Sequence, residues 1–226
     1  DGHGITAFLT PMDADGLVIE EYLWTFNMPT DHGRVSLTDV RLPDSAILGE
    51  EGRGLQIAQH FFNENRIRQA VSSLGAAQYC ITESVAYAKQ RRPFGKPLSI
   101  NQAIQFPLAE LQTECEMLRA LLHKTAWQMD TIGNFAVSDK VSMCNYWANR
   151  LVCEAADRAM QVHGGIGYSR HKPFEHIYRH HRRYRITEAF TITTEGGTDT
   201  LTDLRAAGGT GQTADIQARS LAIRLG

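Results

Sequence analysis

The sequence has almost no net charge, no long apolar run and few cysteines, and each absence excludes a class of protein. Its 226 residues carry 23 Lys and Arg against 25 Asp and Glu, a formal charge of −2, so no general attraction to nucleic acid or anionic lipid is expected. No apolar stretch reaches the roughly 18 residues of a membrane-spanning helix. The four cysteines form no C-x-x-C pair, which favours reduced, buried thiols in an intracellular protein over a disulfide framework.

Common catalytic signatures are also absent. The sequence contains no G-x-S-x-G, no G-x-x-x-x-G-K-[ST] and no H-E-x-x-H. Gly164–Gly167 follows a helical pattern rather than a strand, which argues against a Rossmann nucleotide site. His176 and His180 are spaced as on one helical face, but the surrounding arginines disfavour a metal ion there. The basic run Arg179–Arg185 is too short to indicate nucleic-acid binding and predicts a solvated or ion-paired surface.

The first 50 or so residues show the two-residue alternation of β-strands. The alternation around Arg34–Pro43 places Val35 and Leu37 on an inner face. Turn residues such as Asp13–Gly16 separate the short segments. Four strands are predicted, within Ile5–Pro11, Leu17–Ile19, Arg34–Pro43 and Ala46–Gly49.

From Leu55 onward the apolar period becomes that of a helix. Apolar residues spaced four and three apart predict three long helices, covering Ile67–Ala88, Ile104–Leu122 and Val137–Val162. The glycine-rich Gly164–Gly167 is predicted to stop the third helix, and a shorter helix can begin at Pro173.

The predicted fold class is therefore mainly α: an up-down four-helix-type bundle preceded by a partial antiparallel β domain. The domain bounds expected from the patterns are 1–52 for the β domain and 53–190 for the bundle. Residues 191–226 are expected to form an irregular or weakly helical tail.

Three groups of residues occur together in the order and spacing of one known family. They are Arg91-Arg92-Pro93-Phe94-Gly95-Lys96 followed by Gln102, then Gln161-Val162-His163-Gly164-Gly165-Ile166-Gly167-Tyr168, then Arg179 with Ile186-Thr187-Glu188. Each group alone is a weak signal, but in register they closely resemble the C-terminal half of an acyl-CoA dehydrogenase. The resemblance runs from about Gly4 to Glu188.

The resemblance implies a set of binding residues. FAD would lie between the β domain and the bundle, with its diphosphate and adenine end reaching a neighbouring subunit. The residues that match the family's FAD contacts are Arg91, Phe94, Gln102, Gln161, Gly164 and Gly165. Gln161 interrupts an apolar face, so a buried amide with a partner is expected there. Asn63 and Arg66 match the acyl-CoA contact region, where many members have Asp in place of Asn63.

The resemblance also implies the catalytic base. Glu188 matches the carboxylate that removes the α-proton of the acyl-CoA, a task that a dry, apolar site favours. The family normally continues with Gly-Thr, whereas this chain continues with Ala189-Phe190, and Glu195-Gly196-Gly197-Thr198 follows seven residues later. Glu188 is favoured on spacing. Glu195 after an insertion, or an altered reading frame near residue 189, are the alternatives.

The implied activity is FAD-dependent α,β-dehydrogenation of an acyl-CoA thioester, with an electron-transfer flavoprotein as acceptor. The alternatives are an acyl-CoA oxidase and a catalytically incomplete bundle subunit. Family members are usually homotetramers built as dimers of dimers, located in the cytoplasm of bacteria or in mitochondria or peroxisomes. The chain begins at Asp1 without Met, and the motif register suggests the last three-fifths of a larger enzyme.

Overall fold

The computed structural model describes residues 4–26, 29–30 and 32–186. The chain divides into two compact units between Phe62 and Asn63, each described separately below. Glu188, Glu195 and the predicted tail lie outside the described residues. The fold class predicted from the sequence, a mainly helical chain with a few antiparallel strands at its start, is confirmed.

The first unit contains two antiparallel strand pairs. Its strands are β1 (Ala7–Phe8), β2 (Leu17–Tyr22), β3 (Gly33–Leu37) and β4 (Ile47–Leu48). β1 pairs with β4, and β2 pairs with β3. The second pairing starts from Gly16, whose φ of +86° brings its backbone against the carbonyl of Thr38, where a side chain would collide. Each of the four segments predicted to form a strand contains one of these strands.

The inner face predicted for β3 is wrong. Val35 and Leu37 are 48% and 66% exposed. The alternation in this segment correctly indicates a strand, but a two-stranded hairpin covers neither of its own faces. A two-residue periodicity indicates the conformation of a strand. Burial of one face of that strand also requires a second layer of structure packed against it.

Five helices follow the strands. They are α1 (Gly54–Gln90), α2 (Gln102–Ile132), α3 (Ser138–His163), α4 (Gly165–Tyr168) and α5 (Phe174–Arg182). The first residues of α1 belong to the first unit and the rest to the second. A 3₁₀ turn, Arg183–Arg185, continues from α5. No helix within the described residues is long and apolar enough to cross a membrane.

The one-turn helix α4 replaces the plain helix stop predicted at Gly164–Gly167. Gly164 does end α3, with a φ of +64°. The chain then makes a further helical turn because Gly167 packs against the preceding helix. A Cβ at Gly167 would lie 2.7 Å from the carbonyl oxygen of Met160, so the turn closes only without a side chain.

The buried stripe of α1 agrees in part with the one that the apolar spacing predicts: Leu74, Ile81 and Ala88 are buried. Val71 and Val85 belong to the same predicted stripe, yet they are 54% and 36% exposed. Further fully buried positions are taken by small residues, including Ser73, Ala77 and Cys80. Small side chains let helices pack closely, while the larger valines lie at the edge of the contact. The four cysteines are all buried and free, as predicted.

Candidate cofactor and substrate sites

Three helix ends meet at one end of the bundle. The rings of Tyr87 near the end of α1 and His163 at the end of α3 stack with centroids 4.3 Å apart. Val85 of α1 and Ile104 of α2 line the same cavity of about 380 Å³. The end of α1, the start of α2 and the end of α3 are therefore neighbours. This end carries all the residues matched to FAD contacts: Arg91, Phe94, Gln102, Gln161, Gly164 and Gly165.

The loop between α1 and α2 is held in a defined shape and presents an exposed aromatic ring. The Arg91 N–H donates to the Tyr87 carbonyl at 2.8 Å, and the Arg91 carbonyl accepts from the Leu98 N–H at 2.9 Å. Phe94 has a φ of +55°, a left-handed conformation that costs a side-chain-bearing residue about 1 kcal/mol or more. Its ring is fully exposed. The loop thus presents an exposed apolar ring three residues after the exposed Arg91.

The end of α3 exposes backbone that a ligand could approach closely. The Gly164 N–H donates to the Met160 carbonyl at 3.0 Å, which caps the helix. An added Cβ at Gly164 or Gly165 would meet no atom within 4 Å, so both glycines face open space. Gln161 is exposed, and the expectation of a buried amide there is wrong. Val162 and His163 occupy the buried side of this turn instead.

The chemistry of this end fits a dinucleotide. Arg91 supplies a cation for a diphosphate, and the start of α2 at Gln102 adds the partial positive charge of a helix N-terminus. Exposed amides at Gln102 and Gln161 can bond to sugar or base atoms. Phe94 offers a ring for stacking. The residues present are therefore of the kinds that an extended flavin dinucleotide needs.

His163 is a supporting residue that the sequence interpretation did not single out. Its Nδ1 lies 2.9 Å from the Ala159 carbonyl oxygen, which must accept, so Nδ1 carries a proton. Burial lowers the pKa of His163, which favours the neutral ring. The ring also packs on Phe174, with centroids 4.6 Å apart. In the sequence, the signal for a role at this end of the bundle is that His163 directly precedes Gly164.

Asn63 and Arg66 lie at the other end of the bundle, toward the start of α1. Counted along the helix at 1.5 Å per residue, Arg66 is roughly 38 Å from Arg91. The Asn63 amide donates to the Asn134 carbonyl at 3.3 Å and to Ser138 Oγ at 2.7 Å. Asn63 Oδ1 accepts from Arg66 Nη1 at 3.2 Å. A carboxylate could not make the two donations, so asparagine suits this position as aspartate would not.

Arg66 itself is 2% exposed. Its guanidinium donates to Asn63, which in turn contacts Asn134 and Ser138 at the segment joining α2 to α3. The structure therefore brings Asn63 and Arg66 together, and places both far from the residues matched to FAD.

The basic segment is ion-paired in part. Arg179 Nε donates to Glu175 Oε2 at 2.6 Å, one helical turn away. The His176 and His180 rings lie with centroids 6.0 Å apart. Among the described residues no group of three or more His, Cys, Asp or Glu side chains could hold a metal ion.

The fold defines a helical-bundle domain, and the residues at one of its ends are of kinds compatible with a dinucleotide. The family model "Acyl-CoA dehydrogenase, C-terminal domain" matches residues 52–188. The chain belongs to the acyl-CoA dehydrogenase family, which confirms the resemblance seen in the sequence.

Individual relatives agree with this assignment. "Probable acyl-CoA dehydrogenase FadE2" of Mycobacterium tuberculosis is 35% identical over 180 residues, 79% of this chain and 44% of the relative. "Caffeyl-CoA reductase-Etf complex subunit CarC" of Acetobacterium woodii is 31% identical over 188 residues, 82% of this chain and 48% of the relative.

Among solved structures, butyryl-CoA dehydrogenase from Megasphaera elsdenii is similar with a TM-score of 0.72 and 29% identity. The match covers 92% of this chain and 52% of that one. The chain thus spans about half the length of the relatives it matches.

Proposed function

We propose that this chain provides the C-terminal bundle of an FAD-dependent enzyme that dehydrogenates acyl-CoA thioesters. The observation that carries the proposal is the gathering of six exposed cofactor-type residues at one end of a bundle belonging to this family. These residues come from three separate stretches of sequence, and close packing of the helices brings the helix ends that carry them to the same end of the bundle.

Each of these residues would have a binding role. Arg91 would pair with the diphosphate of FAD, and Phe94 would pack its exposed ring on the cofactor. Gln102 and Gln161 would hydrogen-bond to it, while Gly164 and Gly165 would let the backbone come close. FAD, when bound, would supply the acceptor for the hydride that leaves the substrate Cβ.

Glu188 would act as the base. Its carboxylate would remove the proton from the acyl Cα, and exclusion of water around it would strengthen it as a base. Its backbone N–H would stabilise the developing negative charge on the thioester oxygen. Asn63 and Arg66 would belong to the region that receives the CoA portion. Glu195 is the alternative base.

The distance between the two ends supports a multi-subunit site. With Arg66 and Arg91 separated by roughly 38 Å along one helix, the two ends of a single copy serve different places. FAD bound at one end would therefore meet a substrate site completed by a second copy. This favours a homo-oligomer, and the family resemblance favours a homotetramer arranged as a dimer of dimers. An electron-transfer flavoprotein is the proposed acceptor, because the name of the Acetobacterium relative includes an Etf complex.

The remaining assignments from the sequence stay proposals. The reduced, buried cysteines support an intracellular location: the cytoplasm in a bacterium, or a mitochondrion or peroxisome in a eukaryote. The domain bounds 1–52, 53–190 and 191–226 likewise stay predictions.

The direct test is flavin reduction by butyryl-CoA. The purified chain should bind FAD, turn yellow and bleach on anaerobic addition of butyryl-CoA. Glu188→Gln should still bind FAD but lose the bleaching, while the exposed Glu51→Gln serves as the matched control and should behave as wild type. Greater loss in Glu195→Gln would move the base to Glu195. A chain that binds no flavin would favour the catalytically incomplete subunit. Rapid reoxidation by oxygen would favour the oxidase.

A further inference from the structure

A buried polar network links α1, α3 and α5 and is not part of the proposed cofactor or substrate contacts. Its side chains are Ser73 and Asn149, both 0% exposed, with Asn145 at 4% and His181 at 5%. Ser73 Oγ lies 2.6 Å from Asn149 Oδ1 and 2.9 Å from His181 Nδ1. The Asn149 amide nitrogen lies 2.8 Å from Asn145 Oδ1 and 3.3 Å from the Tyr184 carbonyl oxygen. Buried polar groups of this kind must be satisfied by one another.

The direction of every bond in the network follows from the Tyr184 carbonyl. A backbone carbonyl can only accept, so the atom of Asn149 beside it is the NH₂ group, and Oδ1 points to Ser73. Since Oδ1 also only accepts, Ser73 must donate its single proton to it. Ser73 Oγ can then only accept from His181, which places a proton on Nδ1 of that ring.

The network holds one segment at two points. The His181 side chain bonds to α1 through Ser73, and the Tyr184 backbone bonds to α3 through Asn149. Apolar burial does not hold this segment, because the turn Arg183–Arg185 contains no buried residue and Ile186 is 69% exposed. The two polar bonds therefore attach this segment directly to α1 and to α3.

We propose that Ser73 and Asn149 are positioning residues that fix the Tyr184 backbone, four residues before the proposed base Glu188 in the sequence. Glu188 follows Tyr184 by four residues, so little chain is available to absorb a displacement of the anchored carbonyl. The inference rests on the proposed role of Glu188 as base. Small errors in the placement of a reacting group are costly, since about 1 Å can lower a rate on the order of a hundredfold.

The chain offers a matched control for this proposal. Ser84 lies on the same helix as Ser73 and is also 0% exposed. Its hydroxyl donates to the Cys80 carbonyl at 2.7 Å, within α1 itself. Replacing Ser84 by alanine removes a buried hydroxyl whose hydrogen bond lies within α1. Any effect specific to Ser73 must therefore come from the cross-helix network.

The experiment compares Ser73→Ala and Asn149→Ala with Ser84→Ala, each loaded with FAD. In Ser73→Ala and Asn149→Ala, the rate constant of flavin reduction by butyryl-CoA should fall about 10- to 100-fold, with the half-saturating concentration unchanged. Ser84→Ala should keep the wild-type rate.

A second readout does not depend on activity. The Ile186 N–H donates to the Arg183 carbonyl at 2.8 Å, so it reports on this segment. Its hydrogen exchange should accelerate about tenfold in Ser73→Ala and Asn149→Ala only, the effect of one lost anchoring bond.

The outcomes separate this inference from the proposed function. If wild type reduces flavin and Ser73→Ala does so equally fast, or if exchange at Ile186 is unchanged in both alanine variants, the positioning role is refuted while the proposed function stands. An equal loss in Ser84→Ala also refutes it, since that would mark a general effect of buried hydroxyls. If wild type itself reduces no flavin, the proposed function and the positioning role fall together.

Discussion

Acidification should destabilise the helical bundle, and the histidine with the largest contribution is His181. Burial lowers the pKa of this imidazole from 6.5 to about 4, and the nearby positive charges of His180, Arg183 and His176 add to the effect. The folded protein therefore holds the ring neutral at pH values where the unfolded chain protonates it. The contribution of His181 to the free energy of unfolding is fully present above pH 6.5. It is lost as the pH falls from 6.5 toward 4, and it does not change further below pH 4.

The size of the effect follows from the two pKa values. A lowering of about 2.5 corresponds to about 3 kcal/mol, since one pKa unit is worth about 1.4 kcal/mol. Most of this should be lost between pH 6 and 4. For a protein whose total stability is on the order of 5–15 kcal/mol, that is a substantial part.

The replacement His181→Asn isolates this contribution. An asparagine amide nitrogen occupies the same place along the side chain as Nδ1, so it can still donate to Ser73 Oγ, but it does not titrate. Urea unfolding, followed by helical circular dichroism at several pH values, gives the stability of each protein. The difference between wild type and variant should shift by about 3 kcal/mol between pH 7 and 4. His163, whose pKa is also lowered, is present in both proteins and contributes equally to each. A difference that stays constant with pH would refute the reasoning.

Three further predictions concern the core and the cofactor end. Leu118→Ala should lower the free energy of unfolding by about 2–5 kcal/mol in a urea titration, because the leucine is 2% exposed and the neighbouring helices cannot close the gap fully. Arg91→Ala should weaken FAD binding about 10- to 100-fold in a fluorescence titration, with an unchanged unfolding midpoint for the cofactor-free chain because the residue is exposed. A thiol reagent should label no cysteine in the native chain and all four in urea, since each is buried; burial also raises the pKa of Cys80 to about 12.

The sequence predicted the helices well because their stability and their pattern have the same origin. A run such as Leu108, Leu111 and Cys115 is apolar at helical spacing because that face is buried, and all three are buried in the structure. The breaks were also predictable, since Pro93 and Gly133 disfavour continuing a helix for local reasons. Local chemistry was sufficient wherever a single segment determined the outcome.

The errors arose where contacts with another segment of the chain decide which side chains are buried or bonded. Val35 and Leu37 alternate correctly but face no second layer, and Val71 yields its place in the core to small residues beside it. The network of Ser73 and His181 joins residues 108 apart in sequence, with no local periodicity to indicate the bond. Such contacts depend on how whole helices are placed against each other.

The helices α1 and α3 pack against each other with a single offset in sequence along their whole contact. Three contacts join the helices: Asn63 to Ser138 at 2.7 Å, Ser73 to Asn149 at 2.6 Å, and the ring of Tyr87 to that of His163 at 4.3 Å.

The sequence separations of these pairs are 75 and 76 for the hydrogen bonds, and also 76 for Tyr87 and His163, so the helices run in the same direction without slipping. A slide of one turn would leave two buried polar pairs unsatisfied, at a cost of about 1–3 kcal/mol for each group, whereas purely apolar contacts would tolerate it far better. The same offset brings the glycines that follow α3 to the level of Arg91. The buried polar pairs therefore decide where the cofactor-type residues meet, although none of them lies at that surface.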